Sequence, residues 1–266
     1  MFMVIFILLV TGLCFGSFIN AFVWRLHEKK DWLNDRSECI YCHHKLAAID
    51  LIPVISWLLL RGKCRYCKRS ISVQYSIVEL ITTVLFIASF LLWPIHLVGY
   101  SIALFALWLV IVIGLVALAL YDIKWMILPS KLIYFLYIAA LLMAAIHIYY
   151  SNNHISMAIS YLIASLIGGG IFYILFLVSK GKWIGGGDVR LGFLLGLIVS
   201  TAQNSLLLIF IAAFLGTLVS IPFMLSGKLK KTSMIPFGPF LIAAAYIVQL
   251  EGFNILTWYS HVFLGV

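Results

Sequence analysis

Residues 3–23 read Met-Val-Ile-Phe-Ile-Leu-Leu-Val-Thr-Gly-Leu-Cys-Phe-Gly-Ser-Phe-Ile-Asn-Ala-Phe-Val, a run without one charged side chain, and Arg25 opens a dense basic block behind it. Such a run has the length an α-helix needs to cross the hydrocarbon of a bilayer, about 20 residues, and lacks the strict alternation of a lipid-facing strand. A secretory signal carries its cations ahead of the apolar stretch, and here Lys and Arg appear only after it. The run is therefore expected to be an uncleaved first helix with its amino end outside. Similar runs recur down the chain, which is 64% hydrophobic and only 10% charged. Soluble domains are about 45–50% apolar. The fold class that follows is an all-α polytopic membrane protein with about eight transmembrane helices and a small cytosolic zinc-ribbon-like insertion.

The apolar segments fall at 3–23, 77–93, 97–120, 132–150, 155–178, 188–200, 204–225 and 236–250, the sixth and eighth being short. Cation placement tests that count. Ten of the 18 Lys and Arg side chains lie between Arg25 and Arg69, and the rest are Lys124, Lys131, Lys180, Lys182, Arg190, Lys228, Lys230 and Lys231. With eight spans and both termini outside, all 18 fall on the inner side, as the positive-inside bias requires. The net charge of +9 thus reports topology and anionic lipid rather than nucleic acid. The expected division is a first helix at 1–23, an insertion at 24–75 and a membrane core at 76–266. Gly12 and Gly16 give the first helix a small-xxx-small face for close packing, with Cys14 between them expected as a small buried hydrophobe.

In the insertion, Cys39-Ile-Tyr-Cys42 is followed after 21 residues by Cys64-Arg-Tyr-Cys67. Two such knuckles offer four thiolates from two tight turns, a pattern that points to tetrahedral Zn²⁺. Two disulfides are the alternative, and the cytosolic side argues against them. A segment of about 50 residues has little core of its own, so the metal is expected to be structural. His43 and His44 are expected to face solvent.

Two carboxylates remain to be explained. Gly185-Gly186-Gly187-Asp188 puts one beside a triple glycine that lets another chain segment approach closely. Asp122 ends the third span, and two spans separate it from the loop, so parity places both at one membrane face. Plain readings exist for each: Asp188 as the N-cap of the next helix, Asp122 as a helix-end carboxylate paired with Lys124. Glu79, at the same face, has its own plain role at the amino end of the second span. Brought together, Asp122 and Asp188 would share one proton, one taking a proton from water while the other donates to a carbonyl oxygen. That is acid–base machinery for amide hydrolysis. No Gly-x-Ser-x-Gly elbow competes. The rival classes are a proton- or cation-coupled transporter with a zinc module, and a membrane anchor whose zinc ribbon binds a partner or nucleic acid. Carboxylates near one boundary and the lack of an internal repeat count against the first. The second leaves the glycine loop and both aspartates idle.

Gly185-Gly186-Gly187-Asp188-Val189-Arg190-Leu191 resembles the GxGD motif of intramembrane aspartic proteases. With Gly16-Ser17-Phe18-Ile19-Asn20, Leu51-Ile52-Pro53-Val54, Val78-Glu79-Leu80, Asp122 to Pro129 and Pro236-Phe237-Gly238-Pro239, the whole chain is similar to bacterial type IV prepilin peptidases. The resemblance implies that Asp122 and Asp188 are catalytic. It implies cleavage of a short basic leader after a glycine, typically before a phenylalanine, in type IV prepilins or pseudopilins. It implies, for many members, methylation of the new amino terminus with S-adenosylmethionine. The family's usual Cys-Pro-x-Cys is Cys39-Ile40-Tyr41-Cys42 here, with both ligands in place, and Ser76 stands where a proline usually follows Tyr75.

Overall fold

The computed structural model describes residues 1–31, 37–225 and 235–265; Arg36, Lys228, Lys230 and Lys231 of the charge argument lie outside the described residues. The chain divides into two compact units, Met1–Leu91 and Leu92–Val266. Among the described residues there is no sheet, only the isolated bridges Glu38 to Lys45 and Lys63 to Ser70.

In the first unit, α1 (Phe2–His27) packs lengthwise on α3 (Gln74–Leu91), with the insertion between them in sequence. The contact is made by glycine. A Cβ on Gly12 would stand 2.7 Å from Thr83 Cα, and one on Gly16 only 2.5 Å from Glu79 Cα, so the two backbones touch where the side chains are missing. Cys14, by contrast, is exposed. At 100° per residue it lies about 200° from both glycines, on the face turned away from α3. Expecting it to be buried was wrong for that reason. Glu79 does not serve the start of its own helix: its Oε2 accepts from the Val54 backbone N–H at 2.7 Å, tying the insertion to α3. Val54 is held at φ 58, a conformation unfavourable for a β-branched residue, just before the short helix α2 (Ile55–Leu59).

The second unit contains α4 (Tyr100–Trp125), α5 (Ser130–Tyr149), α6 (His154–Ser179), α7 (Gly186–Val199), α8 (Ala202–Leu225) and α9 (Gly238–Tyr259). Its centre is built by α4, α5, α7 and α9, where Trp108, Leu115, Leu118, Leu136, Leu195 and Ala245 are nearly or wholly inaccessible. Seven of the α-helices in the described chain are long and apolar enough to cross a membrane; the five-residue α2 and α7 are not. The 14 residues of α7 span about 21 Å, short of a hydrocarbon layer of about 30 Å. A short helix survives at depth when protein surrounds it. Here α5, α6, α8 and α9 all contact it, and nine of its residues are buried. Gly168 of α6 and Gly192 and Gly196 of α7 let the two backbones approach closely, since a Cβ on Gly192 would lie 2.6 Å from the Gly168 carbonyl oxygen and one on Gly196 closer still to that of Ala164. The last span, expected to end near residue 250, continues as α9 to Tyr259 and into a π-helical turn at Ser260–Leu264.

Candidate functional site

Asp122 lies in the last turn of α4, which closes when the Met126 N–H donates to the Asp122 carbonyl at 2.8 Å and Met126 adopts φ 53. That left-handed residue reverses the chain, and Leu128 and Pro129 carry it into α5. Asp188 is not the N-cap of α7, which is Gly185; it is the third residue of the first turn. Its carboxylate folds back on the Gly185 N–H, and a Cβ on Gly185 would sit 3.5 Å from Asp188 Oδ2. A carboxylate at this position satisfies an otherwise orphaned amide and meets the positive end of the helix dipole.

The two aspartates are brought to one place. Asp188 is within electrostatic reach of Asp122. Leu128 lies beside the glycines that flank them: a Cβ on Gly187, next to Asp188, would lie 3.2 Å from Leu128 Cβ, and one on Gly238, which adjoins Asp122, would lie 3.7 Å from Leu128 Cδ2. Asp122 is 5% exposed and makes no ion pair with Lys124, whose ammonium instead lies over the Trp125 ring at 5.3 Å. Among the described residues Asp122 Oδ2 has no hydrogen-bond partner. A buried carboxylate oxygen with no protein partner is available to accept a hydrogen bond or a proton from a bound substrate or water.

Two contributors were not anticipated. Gly238, at the start of α9, turns its backbone N–H to the Asp122 carboxylate, and a Cβ there would be 2.6 Å from Asp122 Oδ2. The signal was present as Pro236-Phe237-Gly238-Pro239: proline inside the first turn of a helix beside a glycine that permits close approach. The second is Arg190, whose guanidinium donates to Ser130 Oγ and to the Gly186 carbonyl while Tyr137 Oη donates to the Arg190 carbonyl at 3.0 Å. This fastens the glycine-rich start of α7 to α5.

In the first unit the Sγ atoms of Cys39, Cys42, Cys64 and Cys67 all lie within 4.8 Å of one another, with Cys39 and Cys67 at 3.8 Å. Tetrahedral zinc with Zn–S of 2.3 Å requires about 3.75 Å between sulfurs. The knuckles are copies of one turn: the Cys39 and Cys64 N–H groups donate to the carbonyls of His44 and Arg69, and their carbonyls accept from His43 and Lys68. His43 and Lys68 take the same left-handed conformation, φ 54 and 60. Burial raises the Cys39 thiol, but backbone N–H groups of Cys42 and Tyr41 outweigh it and bring it down to about 7; the His44 backbone N–H lowers the Cys42 thiol, but burial and the Cys39 and Cys67 sulfurs together push it up to about 11. His43 and His44 are exposed, His44 resting on the Tyr66 ring at 3.7 Å, and neither joins the cluster.

The Bacterial Peptidase A24 N-terminal domain model matches residues 10–93, and the Type IV leader peptidase family model matches residues 109–221. The chain is 30% identical to a prepilin leader peptidase/N-methyltransferase of Bacillus subtilis over 97% of its own length and 99% of that protein. Similar proteins of the same name occur in Aeromonas hydrophila, 30% identical with 95% and 92% covered, and in Pectobacterium carotovorum, 32% identical with 92% and 93% covered. No solved structure matches the chain.

Proposed function

The chain belongs to the type IV leader peptidase family, and from that membership we propose that it is a multi-pass aspartic endopeptidase of the cytoplasmic membrane. Its substrates are type IV prepilins or pseudopilins, whose basic leader it removes after a glycine at the cytosolic face. Asp122 and Asp188 are the catalytic pair. A transporter reading has nothing further to stand on. The observation that carries the proposal is that Asp188 lies within electrostatic reach of Asp122, one oxygen of which is buried and has no partner among the described residues.

The pair holds one proton. The ionised carboxylate takes a proton from water as its oxygen bonds to the scissile carbonyl carbon, and the protonated carboxyl gives its proton to the carbonyl oxygen, forming a gem-diol. Collapse breaks the C–N bond, with the amine receiving a proton from the dyad as the acid product forms. The Gly238 and Gly185 N–H groups orient the two carboxylates throughout. For the second activity, the name of the relatives implies S-adenosylmethionine, which when bound supplies an electrophilic methyl group to the freed amine. The four cysteines would hold Zn²⁺ in a closed shell with no position for water, a structural role. Both termini are assigned to the outside by the cation distribution, and a reporter fused after Asn153 should read as external.

The decisive experiment is Asp122→Asn and Asp188→Asn, each assayed on a peptide with a basic leader, Gly, Phe and an apolar helix. Each change is nearly isosteric and removes proton exchange, so cleavage should fall by at least about 10³-fold while the protein stays folded. Near wild-type cleavage by either variant would end the aspartyl assignment.

A further inference from the structure

Next to Gly238, α8 and the start of α9 border a groove of about 440 Å³ lined by Gly216, Thr217, Ser220, Ile235, Phe237 and Phe240 among others. Among the described residues no charged side chain lines it. Its hydroxyls are already satisfied, Thr217 Oγ1 donating to the Ala213 carbonyl at 2.7 Å and Ser220 Oγ to that of Gly216. The described lining is therefore suited to apolar matter. Its position names the occupant. Phe237 forms its wall, and the next residue, Gly238, faces the Asp122 carboxylate, so the groove and the catalytic carboxylate share one dipeptide. Its other wall, α8, is the least buried of the candidate spans, with Phe214, Leu218 and Ile221 exposed. An occupant can enter sideways from lipid.

We propose that this groove receives the apolar segment of the prepilin immediately after the scissile bond, seating the first side chain of the mature protein between Phe237 and Phe240 above Gly216. This rests on the peptidase reading and adds a specificity surface to it. Gly216 is the floor: a Cβ there would make ordinary contact with Phe240 at 3.6 Å and Phe237 at 3.7 Å, so a methyl fits and a larger side chain fills the space. An apolar segment is favoured over a lipid acyl chain because the Phe237 wall runs directly into Gly238, which adjoins the Asp122 carboxylate where a peptide bond must be presented.

The test is Gly216→Leu, in vesicles, on two synthetic prepilin-like peptides that differ only in Phe or Ala after the scissile glycine. The variant should lose at least tenfold in kcat/KM on the Phe peptide and at most threefold on the Ala peptide. Equal losses on both, or no loss, would overturn the proposal. A second measurement needs no turnover: in Asp188→Asn protein, a peptide carrying benzoylphenylalanine at that position should crosslink to Gly216, Phe237 or Phe240. Crosslinks elsewhere, or labelling of these residues by a photoreactive phospholipid that the peptide does not displace, would assign the groove to lipid and refute the proposal. Failure of the peptidase reading would look different, as absence of cleavage by the unmodified protein on either peptide.

Discussion

Replacing Gly238 by Ala should disable the enzyme without unfolding it. The added Cβ would stand 2.6 Å from Asp122 Oδ2 and 3.3 Å from Asp122 Cγ. Carbon–oxygen contacts begin at about 3.3 Å, so the methyl overlaps the carboxylate by about 0.7 Å. Two responses are open: α9 withdraws its N-terminus, or Asp122 rotates away from the Gly238 N–H. Either displaces a reacting group by something approaching 1 Å, a misplacement that costs on the order of 10²-fold in rate, or about 2.7 kcal/mol of barrier. Purified variant protein in detergent, assayed for initial rate on the prepilin-like peptide, should show kcat reduced about 100-fold with KM changed far less. Gly170→Ala is the control, because nothing lies within 4 Å of a Cβ there. A Gly238→Ala enzyme with full kcat would refute the claim that α9 positions Asp122.

Cys64→Ser should release about one zinc per chain and loosen the region from Ser37 to Arg69, read by metal analysis and limited proteolysis; reduced, intact protein without zinc would contradict the assignment. Gly192→Ala drives a methyl to 2.6 Å from the Gly168 carbonyl oxygen and 2.7 Å from Phe172 Cδ2, so it should lower stability by about 1–3 kcal/mol, seen as a reduced thermal midpoint in detergent. Burial raises the Asp50 carboxyl, but the Arg65 guanidinium at 2.6 Å outweighs it and holds the group below its ordinary range. Its contribution is then fully present above about pH 4 and lost as pH falls further. The difference in hydrogen exchange over residues 47–71 between the protein and Asp50→Asn should accordingly shrink under acid, and a gap that widens there would reverse the sign of the argument.

Helix positions were legible because membrane spans announce themselves by length and apolarity over about 20 residues. The four cysteines were legible because metal ligation repeats a local turn. Asp122 and Asp188 could be paired by counting spans, since parity needs no knowledge of packing. What escaped was non-local or sub-residue in scale. Nothing in a run of three glycines says which one begins the helix, and Asp188 moved from N-cap to the first turn on that account. Glu79 gave no hint that its partner would be the Val54 amide, 25 positions away in the insertion. Cys14 was misjudged because a small-residue stripe was treated as a segment, whereas a helix exposes one face of it and hides the other.

The Asp122 carboxylate meets its backbone partner, Gly238, only across more than a hundred intervening residues. During synthesis, at about 5–20 residues per second, α4 and the glycine loop before α7 leave the ribosome seconds ahead of α9. A nascent chain therefore carries both carboxylates before it carries the amide that orients one of them. Arrival of α9 completes the site, and chains cut short before residue 238 would be proteolytically silent. An enzyme that opens peptide bonds in its own membrane is thereby kept from working until α9 has been made.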